Sequence, residues 1–509
     1  MPVSRRAVLL QGGVIGAGFI AADLSGVRAL AQAPPLPERR SLRGLAWNDP
    51  IVETYRDAVG QLKNRPDGDL FNWVNLAKIH GTDVETYHLC PHGNWYFLPW
   101  HRAYLLMYER LIRDVTGNPS FALPFWDWTE DPRLPEIFVE PRTPDGKPNW
   151  LYVADPGYER TWPSAEPLPS ENVGPAVLRR ILTPGIYEQF ATSRPSGQNS
   201  LDPSWVVDRD AGVQGELEGN LHNMVHNHVG GWMPTSMSPR DPLFLAHHSN
   251  IDRIWAVWNA LGNPNCPDPL WRDMRFERHF YNVDGTFASP TVSELLLPEP
   301  LGYTYGHAPP AAAASPHVMA LRDNLTTLYA GARPAGSIVA YTVANAQGAA
   351  SAGDQPLELV VDVDSGLVAA VARRPPPGAG AELVDAAAAR ERLAAGTRAL
   401  AFIREVAVTQ PRTMIRLFLD GVGLSPATPV TDPHYVGSFA VFGHAAHAGG
   451  HAKPSFVVDL TDPIGRVYGG RANPPGRLTL QVLAVPSRSA HGTVGSVTLG
   501  RIEVAFVTS

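Results

Sequence analysis

The chain has 509 residues, too many for one ordinary hydrophobic core, so two or three domains are expected. Hydrophobic residues make up 44% and charged residues 18%, which excludes disorder over most of the length. A formal net charge of −7 offers no basic surface to nucleic acid, and two cysteines, Cys90 and Cys266, exclude a disulfide framework.

Residues 1–31 read as an export signal. Ser4-Arg5-Arg6 precedes the apolar run Ala7–Ala22, and Ala29-Leu30-Ala31 is a small-x-small cleavage site. The paired arginines fit the twin-arginine route, which delivers folded proteins to the periplasm or beyond. The run is too short and glycine-rich to span a bilayer, so no membrane association is expected after cleavage.

A first domain is placed at 41–262, where helical patterns alternate with Pro-rich loops. Leu70–His80 sets Trp73, Leu76, Ala77 and His80 on one helical face, with Gly81 as its stop. Ala103–Val115 is an apolar-rich helix beginning just after His101. In Gly219–Val229 the i, i+4 spacing puts His222 and His226 on one face. Asp241 as N-cap and Pro242 at the first helical position start a helix that runs to about Leu261 and carries His248 on its apolar stripe. Four helices sending histidines inward is how a four-helix bundle builds a metal site in its core. Segment 263–307 includes Trp271–Tyr281 and Leu301–Tyr305. Ala308–Pro316 marks a linker spanning 308–336. From 337 to 509 the signals are strands: Ile338–Val343, Leu357–Val363, Met414–Leu419, Ser455–Leu460, Leu478–Val485 and Val497–Phe506, with one helix at Ala381–Ala395. This mainly β end reads as a sandwich or jelly-roll-like domain.

Six histidines carry the chemistry. His80, His92 and His101 form one set, and His222, His226 and His248 the other, the last 22 residues beyond His226. Imidazole suits copper, zinc, iron and nickel. Three imidazoles per metal leave an open position, which marks a catalytic rather than a structural site. His222-Asn-Met-Val-His226 lacks the glutamate of the zinc-protease signature, and of the several inward carboxylates a di-iron bundle would need only Glu218 is a good candidate nearby. A single histidine would more often be a core residue; six in this arrangement reverse that weighting. The His-rich stretch His444, His447 and His451 reads as a solvated loop.

The runs Cys90–Arg102 and Asp241–Trp258 resemble the tyrosinase and polyphenol oxidase (catechol oxidase) family, the type-3 dinuclear copper proteins. The resemblance implies two copper ions, copper A on His80, His92 and His101, and copper B on His222, His226 and His248. His80 is preferred to His88, which lies in a loop, and His248 to His247, which lies off the stripe of Ile251 and Trp255. It further implies oxidation of o-diphenols to o-quinones by dioxygen, with or without monophenol hydroxylation. Phenolic or catecholic small molecules and dioxygen are then the partners. Cys90, two residues before His92, matches a position where relatives form a thioether to the ligand histidine. Glu218 and Asn223 match residues held to position a water that deprotonates phenol, with Glu216 as an alternative to Glu218. Asn227 matches a position tied to substrate access. Segment 263–307 resembles the middle segment of plant polyphenol oxidases. The β-rich end resembles their shielding domain, which implies a latent enzyme until that domain is displaced. An o-aminophenol oxidase of the same fold and a hemocyanin-like oxygen carrier are the alternatives.

Overall fold

Asp49 starts the first long helix: its carboxylate accepts the N–H of Ile51 at 2.9 Å, and Pro50 follows at the first helical position, where a missing N–H costs nothing. A computed structural model describes residues 35–207, 212–306, 329, 339–346, 349–351, 354–373, 397–410, 412–442, 453–486 and 495–508. The export signal at 1–31, the Ala308–Pro316 stretch, the Ala381–Ala395 helix and His444, His447 and His451 lie outside the described residues.

The helical half is built on α1 (Pro50–Lys63), α2 (Trp73–Ala77), α3 (Phe97–Thr116), α4 (Pro175–Leu182), α5 (Asn223–Val229) and α6 (Leu243–Ala260). Helices α1, α3 and α6 pack together, with the Tyr55 hydroxyl of α1 donating to the Pro242 carbonyl at 2.5 Å. Arg102 of α3 meets Asp252 of α6 at 2.5 Å, both buried. Arg39 joins Asp252 at 3.1 Å and Glu109 at 2.9 Å. Breaking such a buried pair from one side costs about 3–5 kcal/mol, because the other charge is stranded.

Three expectations need correcting. Helix α3 begins at Phe97, not after His101, because Pro99 falls in its first turn, where proline is tolerated. Regular α-helix covers only Trp73–Ala77 of the expected Leu70–His80, since Asn72 caps it and its end tightens to i→i+3 bonds from Ile79 and His80. Gly219–Val229 is two pieces, a wide π turn over Leu217–His222 running into α5. The fourth long element of the bundle is α1, which carries no histidine.

The second half is a β-sandwich with two added helices, α7 (Ser365–Ala372) and α8 (Thr461–Tyr468). Thirteen strands are described: β1 (Val213–Gln214), β2 (Phe280–Tyr281), β3 (Phe287–Ala288), β4 (Val339–Asn345), β5 (Leu357–Asp362), β6 (Thr397–Arg404), β7 (Ala407–Val408), β8 (Thr413–Leu419), β9 (Tyr435–Ala440), β10 (Ser455–Asp459), β11 (Arg477–Pro486), β12 (Val497–Thr498) and β13 (Arg501–Thr508). One sheet runs β1-β10-β6-β13-β4 and the other β5-β11-β8-β9. Their inner faces share a core, with Ala401, Ile403 and Val504 from the first and Val361, Leu417 and Leu480 from the second. Strands β6 and β9 had no sequence signal. The first is buried along almost its whole length and does not alternate, and the second is interrupted by Gly437 and Ser438. The expected Val497–Phe506 strand is split at Leu499-Gly500: β12 pairs with β7, and β13 with β6 and β4.

The two halves share a sheet. β1 belongs to the helical half by sequence, yet pairs in parallel with β10, Val213 opposite Ser455 and Gln214 opposite Phe456. Three residues on, at Leu217, the π turn begins, so the approach to His222 is anchored in the β domain. In the described residues no helix is long and apolar enough to cross a membrane.

Candidate metal centre

Two groups of buried side chains converge in the core. His80, Cys90, His92 and His101 each offer an atom within 4.8 Å of the others, and so do His222, His226, His247 and His248. His92 and His222 face each other across the groups, their ring centroids 5.5 Å apart, and His101 stacks on His248 at 4.3 Å.

In the first group, His80 and His101 are held by different pieces of backbone, and His92 lies beside the Cys90 sulfur. His80 follows α2, and its Nδ1 meets the Ser236 carbonyl at 2.5 Å. That approach depends on Gly81, where a Cβ would strike the same carbonyl. His101 lies in the second turn of α3, with Nδ1 on the Phe97 carbonyl at 2.8 Å. His92 sits in the loop before α3, with its Nδ1 3.2 Å and its Nε2 3.8 Å from Cys90 Sγ. A sulfur near both ring nitrogens faces the carbon between them. His88 is exposed and lies outside the group, with its Nδ1 on the Lys78 carbonyl at 2.9 Å.

In the second group, His222 ends the π turn and its Nδ1 pairs with Asn223 Oδ1 at 2.8 Å. His226, one turn on, has Nδ1 on the Met233 carbonyl at 2.6 Å. His248 Nε2 lies 3.3 Å from His226 Nε2. Asp241 starts the helix that carries His248, its carboxylate accepting the Leu243 N–H at 2.8 Å.

Four of these six rings, His80, His101, His222 and His226, use Nδ1 as donor to a carbonyl or amide oxygen, which fixes the tautomer that leaves Nε2 for a metal. Burial pushes His222 down to about 3. Burial first, and then neighbouring imidazoles, hold His101, His226 and His248 well below the usual histidine range. These rings are neutral at pH 7, the form that ligates. His222 Nε2 is buried with no hydrogen-bond partner, as is His248 Nδ1. An orphaned buried nitrogen is costly unless something binds it, so the donor set fits a pair of imidazole-seeking metal ions.

Sequence reasoning set His247 aside, yet the structure places it in the second group. Both its nitrogens are buried and unpartnered, and its ring lies 4.6 Å from His226 and 4.8 Å from Trp128. Its only signal was its place beside His248. A second addition is Phe442, just beyond β9, with its ring 4.5 Å from His226, 4.7 Å from His92 and 5.3 Å from His222. Nothing local marks it, because its role comes from long-range packing. Phe97 and Phe244 line the same space, 4.8 Å from His222 and 4.1 Å from His248.

Glu218 is buried beside the first group: it accepts the Gly93 N–H at 2.7 Å and a bond from Thr192 Oγ1. Glu216 points elsewhere and pairs with Arg180 at 3.0 Å. Asn223 spends its amide hydrogens on Gln214 Oε1 at 2.9 Å and the Ala440 carbonyl at 2.6 Å. Asn227 donates to the Val441 carbonyl at 3.0 Å. The segment carrying Phe442 is thus docked on both asparagines.

Residues 71–261 match the family profile described as the common central domain of tyrosinase. A tyrosinase of Streptomyces glaucescens is 35% identical over 239 residues, 42% of this chain and 82% of that one. A (+)-larreatricin hydroxylase of Larrea tridentata is 28% identical over 329 residues, 58% of this chain and 55% of its own length. The chain spans about half the length of the plant relatives it matches. The solved structure of a latent apple tyrosinase shares the fold with a TM-score of 0.59, covering 94% of this chain and 98% of that one at 19% identity.

Proposed function

The chain belongs to the tyrosinase family, and from that premise we propose that it is a copper-dependent phenol oxidase. It converts o-diphenols to o-quinones while dioxygen is reduced to water. The observation that carries this reading is the convergence of two buried imidazole groups with their Nδ1 atoms tied back to the protein. His80, His92 and His101 hold one copper, and His222, His226 and His248 the other. Copper supplies the electron transfer between phenol and dioxygen.

The protein contributes orientation, dryness and a proton acceptor. Phe97 and Phe244 keep the site apolar, and Asn223 holds the His222 ring through Oδ1. Glu218, with Asn223, holds a water that takes the proton of a monophenol, a role worth about 10²–10⁴-fold when the geometry is right. That role requires an Asn223 N–H now given to the Ala440 carbonyl. Cys90 and His92 form a thioether: the thiol hydrogen and the ring C–H are lost, and two electrons pass to dioxygen. The mature chain is then two hydrogen atoms lighter, which intact-mass measurement reads.

The enzyme is latent. Phe442 fills the space over the imidazoles where a phenol ring would lie, and displacing Ala440–Phe442 both clears it and frees Asn223. The catalytic domain spans 41–262, the middle segment 263–307, the linker 308–336 and the shielding domain 337–509. The Ser4-Arg5-Arg6 signal supports export by the twin-arginine route.

Copper content and oxygen uptake with 4-methylcatechol and tyramine, before and after limited proteolysis, test this reading. Two coppers per chain, with catechol turnover rising on cleavage, is the expected result. Tyramine turnover adds the hydroxylase activity. Two coppers that bind oxygen without turnover even after cleavage would identify a carrier.

A further inference from the structure

We propose that Arg412, in the β domain, is a positioning residue for the second metal: it holds the end of the helix that carries His226 and follows directly on His222. The proposal rests on the copper-site reading above.

The last four carbonyls of a helix have no partner within it. Helix α5 ends at Val229, and each of its last four carbonyls is accounted for. His226 O receives the Gly230 N–H at 3.3 Å, and Val229 O receives the N–H groups of Thr161 at 2.9 Å and Trp162 at 3.3 Å. The other two are taken by one side chain from the other domain. Arg412 donates from Nε to Asn227 O at 2.8 Å and from Nη2 to His228 O at 3.4 Å, and also from Nη2 to Thr161 Oγ1 at 2.7 Å. A cation at this end also complements the helix dipole.

The chain reverses beyond the helix at Gly230-Gly231, both with positive φ, at 74° and 61°. A Cβ on Gly230 would strike Thr161 Oγ1 and Arg412 Nη2, so the guanidinium lies directly against the turn. Met233, whose N–H bonds Gly230 O at 3.1 Å, offers its own carbonyl to His226 Nδ1 at 2.6 Å. The order of contacts is therefore Arg412, the Gly230-Gly231 turn, Met233 O and the His226 ring. Arg412 itself adopts φ 64°, a strained conformation for a residue with a Cβ that the surroundings must enforce. It begins the turn into β8, whereas the covering Phe442 lies just beyond β9. Cover and support are thus separate contacts of the same domain.

The test is the rate at which full-length, copper-loaded protein yields each copper to a chelator, followed as copper per chain over time. In Arg412→Ala one copper should leave at least tenfold faster than in wild type, and the other at the wild-type rate. Arg412→Lys, which keeps the charge and one donor, should restore part of the difference. Phe442→Ala should open the site to substrate without the selective loss. Unchanged rates for both coppers in Arg412→Ala would overturn the proposal. So would equal acceleration of both together with a lower melting temperature, which marks general destabilisation. If Arg412→Ala does not fold, Arg412→Lys and Thr161→Ala carry the same comparison. Wild-type protein that takes up no copper would overturn the metal-site reading, and this proposal with it.

Discussion

The two histidine groups are built differently. The first draws its support from the helical half: His80 on the Ser236 carbonyl, His101 on the Phe97 carbonyl and His92 beside the Cys90 sulfur. The second leans on the β domain at both ends of one short helix. Asn223, which orients His222, is bonded to Gln214 of the shared sheet and to the Ala440 carbonyl. The carbonyls beyond His226 are bonded to Arg412. The β domain therefore does more than cover the site. It completes the second half of it, and among the described residues it reaches the first through Phe442 over His92.

The largest expected effect comes from removing a ligand. His80→Ala and His248→Ala should each cost one copper per chain and all turnover, from opposite groups. His247→Ala should keep both coppers, despite its ring lying 4.6 Å from His226. Metal analysis decides the point, and loss of copper in His247→Ala with retention in His248→Ala would exchange the two assignments. Glu218→Gln comes next. It should lower monophenol hydroxylation by about 10²–10⁴-fold and leave catechol oxidation nearly intact. Equal losses on both substrates would instead mark Glu218 as a brace for the Gly93 loop, the contact already visible at 2.7 Å.

Phe442→Ala tests a point where the β domain touches both groups. If the uncovered state makes up about 0.1–10% of the chain, removing the ring should raise catechol turnover of uncut protein by roughly 10–1000-fold. Steady-state oxygen uptake before and after proteolysis reads this directly. A variant that still needs cleavage for activity would show that the cover lies elsewhere in the domain.

How much of this was legible in the sequence follows the range of the interactions. The i, i+4 pair His222 and His226, and the Asp241-Pro242 helix start, are local signals, and the structure places those residues in the second group and at the head of α6. Pro99 hid the start of α3, because a proline reads as a break unless the first turn is already known. The π turn at Leu217–His222 has no compositional signature. Phe442, Arg412 and the parallel pairing of β1 with β10 were out of reach. Each joins residues more than 180 positions apart, and in sequence none differs from an ordinary core or surface residue.

The smallest effect is on pH, and it falls on histidines of both groups. Burial holds His222 at about 3 against an ordinary 6.5, and lowers His226, His247 and His248 in the same direction. In the first group the same direction is resolved for His101. Between the unfolded and folded values, the unfolded chain binds a proton that the folded chain refuses. The metal-free fold therefore has its full stability above about pH 6.5 and loses it as pH falls. At pH 5 His222 alone accounts for about 2 kcal/mol, at roughly 1.36 kcal/mol per pH unit. Glu216, raised by burial, works in the opposite sense, so its contribution subtracts from that of the histidines. Bound copper keeps the rings deprotonated, so loaded protein should show a flatter profile over that interval. Melting curves of metal-free and copper-loaded protein at pH 7 and pH 5 check both slopes. Acidification of loaded protein should release copper only well below pH 6.5, because imidazoles lowered by burial compete poorly for protons, and copper per chain followed as pH falls reads this.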